Sequence, residues 1–166
     1  WAFESCAKVL YDTITEADEL GYSDITLCPE VLGKNNQFGT LDEILDLCTI
    51  DERLIPTIDF GHLHARGAGC LNSVEDFENM IFKIENKLGV YRAKNIHCHF
   101  SKVEFSKGGE KKHRTLDEPD YGPEFKFLAE VLCDKGMEPV IICESRTNVA
   151  EDALKLKEIY YKVKGM

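Results

Sequence analysis

The sequence predicts an α/β protein assembled from parallel β-α units. Three observations carry that expectation: short apolar runs alternate with amphipathic helical segments, Gly and Pro punctuate the alternation, and an ionisable residue stands at or just past the end of each apolar run. Phe3 to Leu20 opens the chain as a helix, with Phe3, Ala7, Leu10, Ile14 and Ala17 at steps of three and four and Gly21 as a left-handed stop. Ile25 to Cys28 is too short for a helix and reads as a buried strand, followed by Pro29 and a loop from Gly33 to Gly39. Thr40-Leu41-Asp42-Glu43 is a capping box ahead of Ile44, Leu45 and Leu47.

The alternation continues with a strand over Leu54 to Ile58, a loop at Gly67-Ala68-Gly69, and a cap at Ser73 and Asp76 before a helix carrying Phe77, Ile81, Ile84 and Leu88. Ala93 to Phe100 is the third strand, and it enters a long polar loop. Pro123 at a first helical position precedes Phe125, Leu128, Ala129 and Leu132, and Gly136 closes that helix. Pro139 to Cys143 is the last strand, and Asn148 with Glu151 caps a final helix bearing Ala153, Leu156, Tyr160 and Val163. Four such units make half of an eight-stranded barrel, whose usual length is about 250 residues, or a small open sheet.

Composition narrows the class. The chain has 166 residues, 43% apolar and 30% charged, with a formal charge of −10, the balance of a single globular domain and not of a disordered, collagen-like or coiled-coil chain. No apolar run approaches the roughly 18 residues of a membrane span. Seven cysteines, odd in number and never in Cys-x-x-Cys, point to a reduced, cytoplasmic protein. The first residue is Trp1, so the expectation is part of a longer chain: residues 1–166 as a single partial domain, the C-terminal half of a barrel.

The chemistry is expected at the strand ends. Glu30, Asp59, His97 and Glu144 each stand at or near the C-terminal end of a predicted strand, the face where parallel β-α barrels keep their active sites. One such acid alone is ordinarily a helix cap or a loop charge, but the repetition argues for convergence. Converging carboxylates cannot all stay ionised without a cation, and mixed carboxylate and imidazole ligands suit zinc or manganese. His62 shares the Asp59 segment, and His113 lies in the polar loop after the third strand. That segment carries Lys102, Lys107, Lys111, Lys112 and Arg114 against Glu104 and Glu110, a local basic patch within an acidic chain. His99 shares a strand face with His97, which permits a metal or substrate role, and His64 reads as a loop or supporting residue.

Over roughly residues 22 to 164 these features resemble the endonuclease IV group of apurinic/apyrimidinic endonucleases, within the xylose-isomerase-like TIM barrels. The resemblance rests on the Glu30 loop, on Ile58-Asp59-Phe60-Gly61-His62, on His97-Cys98-His99-Phe100-Ser101-Lys102, on the Gly-rich approach to His113 and on Ile142-Cys143-Glu144. It implies a TIM barrel, a cluster of up to three zinc ions, and hydrolysis of the DNA phosphodiester 5′ to an abasic site. Residue by residue it implies Glu30, Asp59, His97 and Glu144 as one metal site, with Glu30 also bridging and Glu144 and Glu30 catalytic. His62 and His113 match two ligands of another site. Where the family has a third, an aspartate, this chain has Lys111, with Glu110 adjacent. Lys112 and Arg114 are the expected phosphate-binding residues, and DNA with abasic sites the expected partner. The remaining half of the barrel, or a second copy, is expected to close the sheet, since open edges invite association, and the fragment alone is expected to be inactive. Two further readings remain: a sugar or sugar-phosphate isomerase or epimerase using the quartet around a single manganese, and a non-catalytic barrel module.

Overall fold

The computed structural model describes residues 1–165. In chain order it contains α1 (Ala2–Glu19), α2 (Leu41–Leu47), β1 (Thr57–Asp59), α3 (Phe60–Arg66), α4 (Val74–Leu88), α5 (Val90–Lys94), β2 (His97–Phe100), β3 (Lys102–Ser106), β4 (Gly109–Arg114), α6 (Phe125–Lys135), β5 (Val140–Cys143) and α7 (Val149–Lys164). The main sheet has the order β1-β2-β5, all parallel. Parallel bridges from Leu27 to Leu54 and from Glu30 to Thr57 add the first predicted strand beside β1. The sheet does not close, as a partial barrel requires.

The first strand is reduced to bridges for a covalent reason. Pro29 and Pro56 have no N–H to give, so regular pairing breaks at both. The ladder survives around them: Ile55 N donates to Leu27 O at 3.1 Å, Thr57 N to Pro29 O at 2.8 Å and Val31 N to Thr57 O at 3.2 Å.

Two segments differ from their expected form. Phe60 to Arg66, expected as loop, is the helix α3, because Asp59 caps it by accepting a hydrogen bond from His62 N at 2.7 Å. The long polar loop after the third strand is an antiparallel hairpin, β3 with β4. Val103 and Phe105 alternate with polar neighbours, and Lys107-Gly108 turns the chain. At Gly109, φ is +94°, and an added Cβ would stand 2.2 Å from Gly33 O, so the hairpin base lies directly on the Glu30 loop.

The capping boxes at Thr40 with Glu43 and at Ser73 with Asp76 both form. Asn148 does not cap with its side chain: it is the N-cap residue of α7 but adopts a left-handed conformation with φ 57°. Pro123 lies outside its helix, which starts at Phe125 behind Glu124.

The core lies on one side of the sheet. Ile58, Cys98 and Phe100 face α4 and α6, whose Phe77, Ile81, Ile84, Leu128 and Leu132 are buried. Phe60 joins the two layers, with its ring 5.5 Å from Phe77 and 6.0 Å from Phe100, and Phe100 is 4.9 Å from Phe125. Thr57, Asp59, His97, His99, Val140 and Ile142 line the opposite face by register. On that face Val140 is 61% and Ile142 43% exposed. No helix among the described residues is long and apolar enough to cross a membrane, and the seven cysteines are free thiols.

Candidate metal centre

The C-terminal ends of the parallel strands bring together Glu30, Asp59, His99 and Glu144, each offering one ligand atom within 4.8 Å of the others. Register explains the set. Asp59 pairs with His99 across β1 and β2, and Glu144 N donates to Phe100 O at 3.0 Å just beyond β5. His99 Nδ1 lies 3.2 Å from Glu30 Oε1 and 3.2 Å from Glu144 Oε1. His97 belongs instead to the layer below, level with Thr57 and Val140, and is in neither candidate group. It is His99, two positions on from the expected His97, that joins the candidate group. Both alternate onto the same face, so residue spacing alone could not choose between them.

A second group contains Asp59, His62 and His113, again within 4.8 Å. Helix α3 carries His62 and strand β4 carries His113, and their rings meet edge to face at 5.3 Å. His62 Nδ1 is 3.0 Å from Val31 O, and since a carbonyl only accepts, this nitrogen carries a proton and donates. His113 Nδ1 is 2.7 Å from Ser101 Oγ, a hydroxyl that can donate or accept and that orients the ring. A buried partner at one ring nitrogen is the usual way a metal-binding imidazole is oriented. Sequence reasoning gave Ser101 no role. Its only signal is position, immediately after the last residue of β2.

Asp59 is the most telling residue for a cation. Its side chain is 0% exposed, Oδ1 accepts the α3 cap, and Oδ2 has no hydrogen-bond partner among the described residues. Burial pushes its carboxyl pKa up, against the pull of His62 and His113 and with a further push from Glu144. An ionised oxygen left unpaired in the interior is costly, and a divalent cation is the partner that this donor set fits.

The hairpin residues expected to bind phosphate are occupied otherwise. In β3–β4, Glu104 sits opposite Lys112 and Lys102 opposite Arg114, whereas Val103 sits opposite His113, so the basic side chains take the other face from the histidine. Glu104 collects Lys111 and Arg114 directly and Lys112 at 3.9 Å, and Lys111 foremost, with Arg114, holds its carboxyl down at about 2. Arg114 is also bonded to Glu118 at 2.9 Å and stacked 4.4 Å over Tyr121. Lys111 is half exposed and turned to Glu104, away from the ligands, and Glu110 joins neither group although its N donates to Gly33 O at 2.9 Å.

Supporting contacts fix the loops. Arg66 donates to Leu32 O, Lys34 O and Gln37 O at 3.0, 2.9 and 2.8 Å, tying the Glu30 loop to α3. His64 is buried, accepts from Leu71 N at 3.1 Å through Nδ1 and packs on Phe105, and burial lowers its pKa. It is a neutral packing residue.

The fold and these strand-end residues define a partial parallel α/β barrel with a candidate metal-binding face. Residues 2–159 match the family model of xylose isomerase-like TIM barrels, and the chain belongs to that family, the superfamily that includes endonuclease IV and sugar isomerases. It is 36% identical over 137 residues to the uncharacterized protein MJ0133 of Methanocaldococcus jannaschii, a match covering 82% of this chain and 49% of the relative. The chain thus spans about half the length of the curated relative it matches.

Proposed function

We propose that this chain supplies the C-terminal half of a metal-dependent endonuclease of the endonuclease IV type, which hydrolyses the DNA phosphodiester 5′ to an abasic site. The observation that carries the reading is the second ligand group: His62 and His113, each with Nδ1 already engaged, extend the quartet toward a multinuclear centre. Glu30, Asp59, His99 and Glu144 would hold one ion, and His62 and His113 with Asp59 another, zinc suiting the imidazole-rich group and manganese being the alternative. Bound there, divalent ions supply hydroxide near neutral pH and stabilise charge on phosphoryl oxygens.

The residues of the chain do the rest. Glu144 and Glu30 are each about one-third exposed, at 34% and 33%, so both reach the open side of the site and can orient a water or take its proton. Lys112 is only loosely paired, 3.9 Å from Glu104 at closest, and is the proposed side chain to meet a phosphate on the hairpin. DNA carrying abasic sites is the proposed partner, the other half of a barrel is the proposed closure of the open sheet, and a cytoplasmic location accords with free thiols.

The sugar isomerase reading keeps one specific support. The quartet is complete without the histidine pair, and two glutamates flanking an imidazole are enough to move a proton beside a carbonyl. The full-length protein with zinc, assayed on a duplex containing one abasic analogue, separates the two. Cleavage 5′ to the lesion, lost in Glu144→Gln, supports the endonuclease. Absence of cleavage together with turnover of a ketose or aldose in manganese supports the isomerase.

A further inference from the structure

We infer that Asp59 is a shared ligand, bridging two cations in a dinuclear centre built entirely from this chain. The inference rests on the metal reading above and assigns what that reading leaves open, the anion that serves the histidine pair.

Among the described residues, Asp59 alone belongs to both ligand groups. The pair His62 and His113 brings two imidazoles and no carboxylate of its own. Lys111, two residues before His113, pairs its ammonium with Glu104. Glu110 is the adjacent acid, but it is in neither group. Two imidazoles alone leave a divalent ion short of the three or four protein ligands that zinc sites use, and Asp59 is the residue grouped with them.

Asp59 can supply it without losing its structural bond. Oδ1 is committed to His62 N at 2.7 Å, while Oδ2 is buried, without a partner, and 3.6 Å from the His62 ring at Nδ1. The cap on α3 therefore holds Oδ1 and leaves Oδ2 unpaired, on a carboxylate that belongs to both groups. Charge agrees with two ions. Glu30, Asp59 and Glu144 bring three negative charges, so one dication leaves the centre negative, whereas two make it net positive and attractive to a phosphodiester. The substrate class that this favours is an anion, not a neutral sugar.

The test is zinc stoichiometry of the full-length protein by equilibrium dialysis and elemental analysis. Relative to wild type, His113→Ala is expected to lose one ion, Glu144→Gln at most one, and Asp59→Asn two. Asn keeps the Oδ1 acceptor for His62 N, and far-ultraviolet circular dichroism with a melting curve checks that the variant folds. Loss of a single ion in Asp59→Asn, or no loss in His113→Ala, overturns the shared ligand while leaving the quartet intact. Unchanged stoichiometry in all three variants overturns the metal reading itself. Cobalt(II) substitution of the wild type gives a second readout that no folding defect can confuse: exchange-coupled ions are expected, and the spectrum of isolated ions refutes the bridge.

Discussion

Replacing Asp152 by asparagine tests how the site's outer loops are held. Asp152 lies on α7 with no exposed surface, and its Oδ2 accepts from Ser145 Oγ at 2.6 Å and from Leu116 N at 2.9 Å, while Lys155 Nζ donates to Oδ1 at 3.0 Å. One carboxylate thereby ties together the residue after Glu144 and the segment that leaves the hairpin. Asn can keep an oxygen at the Oδ2 position, so two charge-assisted bonds become neutral ones, a loss of about 1 kcal/mol each. Its amide then faces Lys155, which is one-third exposed and can remain with Asp117 at 2.5 Å, so that change adds little. The expected destabilisation is about 2–3 kcal/mol at pH 7. Burial alone would raise the Asp152 pKa, but the bonds from Ser145, Leu116 and Lys155 outweigh it and hold the group below the ordinary carboxylate value. A depressed native pKa stabilises fully above the unfolded value, near pH 4, and this stabilisation is lost as pH falls through the native value. Urea unfolding of both proteins across pH is therefore expected to give a gap that is widest above pH 5 and narrows in acid. A gap below about 0.5 kcal/mol at pH 7, or one unchanged in acid, refutes the reasoning.

Two further outcomes follow from the contacts around the centre. Ser101→Ala removes the hydroxyl 2.7 Å from His113 Nδ1 and is expected to weaken zinc binding at the histidine pair by roughly 10- to 100-fold in a chelator competition, with Ser101→Thr restoring most of it. Gly109→Ala meets Gly33 O at a position with positive φ, so the hairpin must part from the Glu30 loop. The expected cost exceeds about 1–2 kcal/mol in urea unfolding, with lower zinc occupancy, and a variant that keeps wild-type stability refutes the close approach.

The alternation of helix and strand was legible because each element depends on local pattern, and the capping boxes at Thr40 and Ser73 were legible because they are chemical devices written in four residues. What escaped was set by pairing. The hairpin over 102–114 has only two apolar residues on β3 and a polar β4, so its pattern is that of a loop until the two strands meet. Helix α3 escaped because it is only seven residues long and carries a glycine in its first turn. That glycine lies close to β2: a Cβ there would stand 3.1 Å from Ser101 O.

The exchange of His97 for His99 shows where sequence reasoning stops and why. Both histidines satisfy the alternation, and only the level of Asp59 on the neighbouring strand distinguishes them. That level is the register of β1 on β2, which pairs Thr57 with His97 and so brings the last residue of β1 opposite His99. Asp59 then ends the strand, begins the next helix through Oδ1 and keeps Oδ2 in hand. The ligand geometry is thus a consequence of hydrogen bonds that the fold requires in any case. This is why substitutions at Asp59 separate the two roles only when, as with asparagine, the capping oxygen is left in place.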